Sequence, residues 1–213
     1  MTAHTAPVTT MGMINLRVAF FLALFLLVRV CFAGNLHYTN SFKQEITASH
    51  IQYSGELVKA LKFENAEKKY WVVFSKSLEQ EKVSLFAVAY QIKADKVLHK
   101  EWTFKKVVNC PGLDFEADFL TQYIDVLDLD KDLTPEVVFA YKTFCGGGVE
   151  PKNVGVEIRS EALQHKASGT TLIKIPQAPT IGGTMRFGKS LQDPKNLVFK
   201  TYMKRVLTQI INE

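Results

Sequence analysis

Between Ile124 and Tyr141 an alternating apolar run leads into a cluster of aspartates, and a second alternating run leads out of it. Side chains that alternate with period two belong to strands, so this segment reads as strand, acidic loop, strand and commits the chain to a β architecture. The carboxylates of Asp128, Asp130 and Asp132 are spaced two apart, with Glu136 following. A short loop offers several oxygens to a hard cation such as calcium in this way. The competing reading is a solvated hairpin turn whose aspartates bond to backbone amides. Asp125 precedes the cluster, points across the strand and reads as an exposed polar residue.

The same alternation recurs upstream, in Glu56 to Phe63, Lys69 to Phe74, Val83 to Ile92 and Val97 to Lys105, with short charged or small-residue breaks between the runs. In the third run Phe86, Val88, Tyr90 and Ile92 share one face, while Leu85, Ala87 and Ala89 share the other. Short breaks join antiparallel neighbours, which makes the first half a β-meander. Tyr70, Trp71, Phe74, Phe86, Tyr90, Trp102 and Phe104 then read as strand residues of the core rather than as a sugar-binding face. Leu113 to Phe119, Glu136 to Lys142, Val154 to Ile158 and Thr170 to Ile175 supply further strands, and Pro176 to Gly188 reads as a surface loop.

The ending differs in kind. Asp193-Pro194 is a helix start, with Asp as N-cap and Pro in the first turn. Phe199, Met203, Val206 and Ile210 then recur at helical spacing. The predicted fold class is mainly β: antiparallel meander or sandwich-like sheets with a C-terminal amphipathic helix over 194–212, packed on a sheet face or closing one end.

Arg17 precedes an apolar run, Val18 to Val28, that ends in Cys31-Phe32-Ala33-Gly34. That order predicts a signal peptide over 1–33 and a single domain over 34–213, with Gly34 to His50 as a loosely attached lead-in. Arg29 cuts the run short of the roughly 20 apolar residues of a membrane helix, so no stable span is expected after cleavage, and the protein is expected to be periplasmic or secreted. Taking Arg17 and Arg29 from the 26 basic residues leaves an excess of three over the 21 acidic ones. Such a balance is too mild to argue for nucleic acid. With Cys31 in the signal, Cys110 and Cys145 remain, and an even pair in an exported chain predicts one disulfide. It would close a loop of about 35 residues, which the chain-entropy relation values at roughly 3 to 4 kcal/mol.

The specific order Cys110-Pro111, Glu116-Ala117-Asp118-Phe119, Asp128-Leu129-Asp130-Lys131-Asp132, Glu136-Val137, Tyr141, Cys145, Pro151 resembles a family of uncharacterised bacterial secreted or envelope proteins carrying a single Asp-x-Asp-x-Asp loop between strands. The loop itself is similar to those of integrin-type propeller repeats, a likeness that implies a calcium site or its relic. Leu133 stands where those loops carry glycine to pass through positive φ, which leaves a metal-free loop or a different turn open. The loop is not an EF-hand, because the twelfth position from Asp128 is Phe139 rather than a bidentate Glu.

The histidines have no metal spacing, and no serine elbow or phosphate-cradling glycine loop occurs. A cysteine nucleophile lacks a recognisable base. Carboxylate pairs for glycoside hydrolysis meet in space rather than in sequence, so they stay open. The leading expectation is an exported non-catalytic envelope protein that binds a protein or glycan partner. The alternative is a hydrolase acting on cell-wall or surface polysaccharide.

Overall fold

The computed structural model describes residues 38–40, 43–65, 68–93 and 97–213. The signal peptide assigned to 1–33 and the domain start at 34 lie outside these. The described residues are mainly β, in antiparallel sheets, with a C-terminal helix.

The first sheet has the order β1 (Tyr38–Asn40), β2 (Glu56–Asn65), β3 (Lys68–Glu79), β4 (Lys82–Ile92), β5 (Leu98–Asn109), the meander that the alternating runs predict. Between β1 and β2 a short helix, α1 (Lys43–Ala48), sets Ile46 completely out of solvent against Trp71 and Val73 on the outer face of this sheet. The described part of the lead-in from Lys43 to His50 is therefore packed onto the fold rather than loosely attached. One buried isoleucine in six residues is too little periodicity to announce a helix.

The second sheet is built around β8 (Glu136–Gly146) and β9 (Asn153–Arg159). On one side of β8 lie β6 (Asp114–Phe119) and β7 (Asp125–Leu127), pairing with its two halves in succession. On the other side of β9 lies β10 (Gln164–Thr170). After β10 a small ribbon joins β11 (Leu172–Ile173) to β12 (Ile181–Gly182), and β13 (Met185–Phe187) then closes the edge beside β10. The strand expected at Thr170 to Ile175 and the loop expected at Pro176 to Gly188 thus need correction. The main strand is β10, whose buried positions are His165, Ala167 and Gly169. Those side chains are too small or too polar to register as an apolar alternation.

Two packing layers follow. Between the sheets, Phe74, Phe119 and Phe139 meet edge to face, with centroids 5.2 to 6.0 Å apart. The β4 residues turned toward them are Leu85, Ala87 and Ala89 rather than the bulkier set, because small residues leave room for the rings of the second sheet to interdigitate. On the far side of the second sheet, α2 (Leu197–Asn212) lays Phe199, Met203, Val206, Leu207 and Ile210 over Val154, Val156 and Ile158. A 3-10 turn, Pro194–Asn196, leads into α2, and Asp193 caps it by accepting from Lys195 N–H at 3.1 Å. Among the described residues no helix is long and apolar enough to cross a membrane.

Cys110 and Cys145 form the predicted disulfide, with Cα atoms 5.7 Å apart. It joins the end of β5 to β8 and so ties the two sheets together at one corner.

Candidate functional site

The acidic loop connects β7 to β8 at the other end of β8, and four carboxylate contacts shape it. Leu129 N–H donates to Glu136 Oε2 at 2.9 Å, and Leu133 N–H donates to Asp128 Oδ2 at 3.2 Å. Asp130 Oδ1 accepts from Asp132 N–H at 3.3 Å, and Asp132 Oδ1 accepts from Thr134 N–H at 2.7 Å. These last two are the i to i+2 turns that short acidic side chains favour, so the loop has the local bonding of an Asx-built turn.

Those bonds do not use every oxygen. Asp128, Asp130 and Glu136 each offer a carboxylate oxygen to one small volume, all within 4.8 Å of one another. Asp132 stands outside that group and serves Thr134 instead. Glu136 is only 2% exposed. Burial, opposed by the Leu129 N–H and reinforced by the charges of Asp130, Asp132 and Asp128, pushes its carboxyl up to about 7. Asp130 is also raised, first by desolvation and then by its neighbours' charges. Asp128 Oδ1 is buried and accepts no hydrogen bond. An orphaned anionic oxygen beside two other carboxylates lacks a positive partner, and the residues present fit a hard cation with oxygen ligands.

Backbone geometry answers the question that Leu133 raises. Lys131 and Leu133 have φ of 63° and 70°, so the chain makes the left-handed swing of a glycine-bearing loop without glycine. Leu133 is 65% exposed and has no packing to offset the strain, which costs about 1 kcal/mol.

Asp125 has a different place from the one expected. It is half-buried, accepts from Val126 N–H at 2.8 Å, and holds the Tyr38 hydroxyl, raising the phenol above its ordinary value. Lys59 Nζ donates to Ile124 O at 3.0 Å next to it. Asp125 therefore ties the first sheet to β7 and takes no part in the loop's cluster.

Carboxylates also meet at a second place. Glu101 and Glu161 line a cleft with Tyr70, Trp102 and Arg159, and Tyr70 OH donates to Glu161 Oε1 at 2.5 Å. That bond and Lys68 hold Glu161 below its ordinary range. The cleft has a volume of about 20 Å³, room for about one water molecule.

The sequence reading missed Glu157, which is 5% exposed and receives Arg159 Nε and Nη2 at 3.1 and 3.0 Å. The available signal was the polar half of the alternation Val154, Val156, Ile158: an inward-facing face that carries Gly155, Glu157 and Arg159 is unusual for a sandwich.

No protein-family profile, curated protein or solved structure matches the chain.

Proposed function

We propose that the chain is an exported, non-catalytic envelope protein that binds a protein or glycan partner, with a calcium ion completing its acidic corner. The observation that carries the cation is Asp128 Oδ1, buried without a donor beside carboxylates of Asp130 and Glu136. Asp128, Asp130 and Glu136 would hold the ion, and its role would be to neutralise the corner and fix the entry of β8. Export is supported by the Cys110–Cys145 disulfide, a bond that persists in oxidising compartments.

The hydrolase reading finds less support. It needs two carboxylates across a cleft that a sugar ring can enter, with one of them held protonated. Glu101 and Glu161 flank a space for one water, and Glu161 is held ionised.

Titration calorimetry and melting of residues 34–213 with calcium and with a chelator test the reading. The expected result is one ion per chain and a melting temperature that rises with calcium, about 2.7 kcal/mol of stabilisation at a hundredfold excess over Kd. Absence of both heat and shift would remove the ion.

A further inference from the structure

On the second sheet, the face turned toward the first sheet carries two rows of residues in cross-strand register. Tyr141, Gly155, Ser168 and Arg186 form one row across β8, β9, β10 and β13. Phe139, Glu157 and Lys166 form the row beside it. At the β8 end both rows are roofed by β5. Phe104 packs on Phe139 and Tyr141 with centroids 5.1 and 5.2 Å away, and Arg159 Nη1 donates to Thr103 O at 3.0 Å. β5 is the last strand of the first sheet, so the roof ends there. Lys166, Ser168 and Arg186 stand exposed beyond it. The overhang leaves a groove of about 320 Å³ lined by Tyr141, Glu157, Lys166, Ser168 and Arg186. Small-ligand sites occupy roughly 300 to 1,000 Å³.

Charge in this groove is not balanced. Arg159 matches the buried carboxylate of Glu157 with two hydrogen bonds. Neither Lys166 nor Arg186 has a carboxylate within 4.0 Å among the described residues. Lys166, the register partner of Glu157, also acts on that carboxylate, so Arg159, Lys166 and Arg186 share one negative charge and an excess of two positive charges remains. Cations on the outer face of a sheet ordinarily do no more than solvate it, but these occupy an inner face, where a sandwich elsewhere keeps its apolar core. The other groups offered are hydroxyls. Ser168 is exposed, and Tyr141 OH, carried toward β10 across Gly155, makes no hydrogen bond among the described residues. Ala167 and Phe187 pack into the core under α2, and with Gly188 they also form the apolar part of the groove lining. The apolar part of this lining offers a surface to the faces of sugar rings, and the excess positive charge together with the hydroxyls of Ser168 and Tyr141 favours a hydroxyl-rich anion.

We propose that this groove binds an acidic glycan, with Arg186 and Lys166 holding its carboxylate or sulfate groups and Ser168 and Tyr141 meeting its hydroxyls. The inference deepens the partner-binding reading above and rests on it, while standing apart from the acidic corner.

Binding of residues 34–213 to polygalacturonate, heparin, dextran and polyglutamate, all in chelator so that the acidic corner is silent, tests it. The two polyanionic glycans distinguish carboxylate from sulfate as the bound group. The expected result is binding to at least one of them and not to dextran or polyglutamate. The double variant Lys166→Gln/Arg186→Gln should lose at least about tenfold in affinity, the loss of one charged hydrogen bond. Lys43→Gln/Lys204→Gln removes the same charge from exposed helix positions and should lose less than about threefold, since distant exposed charges are screened. Melting curves of both variants confirm that they are folded. Equal loss in the two variants, or binding to neither glycan, would overturn the proposal. Polyglutamate binding as tight as glycan binding would overturn the ligand class. Dextran binding that survives the groove variant would overturn the groove and leave the partner-binding reading standing, and the calcium titration succeeds or fails independently of all these outcomes.

Discussion

Tyr141 lies across Gly155 so closely that a Cβ at position 155 would stand 2.2 Å from Tyr141 Cζ and 2.5 Å from its hydroxyl oxygen. The two residues are register partners on β8 and β9, and only glycine lets the ring cross the neighbouring strand. Gly155→Ala should therefore destabilise the protein by about 1 to 3 kcal/mol, the range for overpacking a filled site. With Tyr141→Ala already present the same change should cost little. Urea denaturation of the two single variants and the double variant measures the coupling, expected to be at least about 1 kcal/mol. A coupling near zero would mean that some other contact requires Gly155.

That contact also marks the limit of what alternation reveals. The first sheet was legible because Glu56 to Lys105 contains β-branched and aromatic residues at period two, and the disulfide followed from counting Cys110 and Cys145. β10 was not legible, because its buried positions, His165, Ala167 and Gly169, carry almost no hydropathy signal. In the acidic loop the candidates Asp128, Asp130 and Glu136 were visible from spacing, but the departure of Asp132 to Thr134 N–H depends on a turn that spacing does not specify. The groove was hidden for a further reason: Glu157, Lys166 and Arg186 come from three strands, and only their register places them together.

The disulfide spans 35 residues and holds the end of β5 to β8. Replacing both cysteines by serine should lower stability by about 3 to 4 kcal/mol, chiefly by freeing the unfolded chain. Denaturant melts of the variant and of reduced wild type should agree. A loss below about 1 kcal/mol would show that the sheets hold together without the bridge.

Two substitutions separate strain from charge in the acidic corner. Leu133→Gly relieves about 1 kcal/mol of left-handed strain and returns roughly 0.5 kcal/mol through the freer unfolded chain. The chelated protein should thus gain about 0.5 kcal/mol with little change in calcium affinity, because the loop makes the left-handed swing already without the ion. Glu136→Gln keeps an acceptor for Leu129 N–H but removes a buried negative charge, so it should stabilise the chelated protein and abolish the calcium-dependent rise in melting temperature. A calcium shift that survives Glu136→Gln would place the ion elsewhere.

His165 gives the fold an acid sensitivity separate from its carboxylates. It is 3% exposed, its Nδ1 lies 2.8 Å from Ser190 Oγ, its ring packs on Phe199, and its Nε2 is buried without a partner. Burial holds its pKa below the ordinary value of 6.5. The folded state therefore favours neutral imidazole, while the unfolded chain takes up a proton once the pH falls below about 6.5. The stability contributed by this group is fully present above that pH and is lost as the pH falls toward the lowered folded value. His165→Phe keeps the ring against Phe199 and removes the titration, so the difference in unfolding free energy between variant and wild type should shift in the variant's favour between about pH 6.5 and pH 5. A pH-independent difference across that window would show that imidazole protonation is not linked to unfolding.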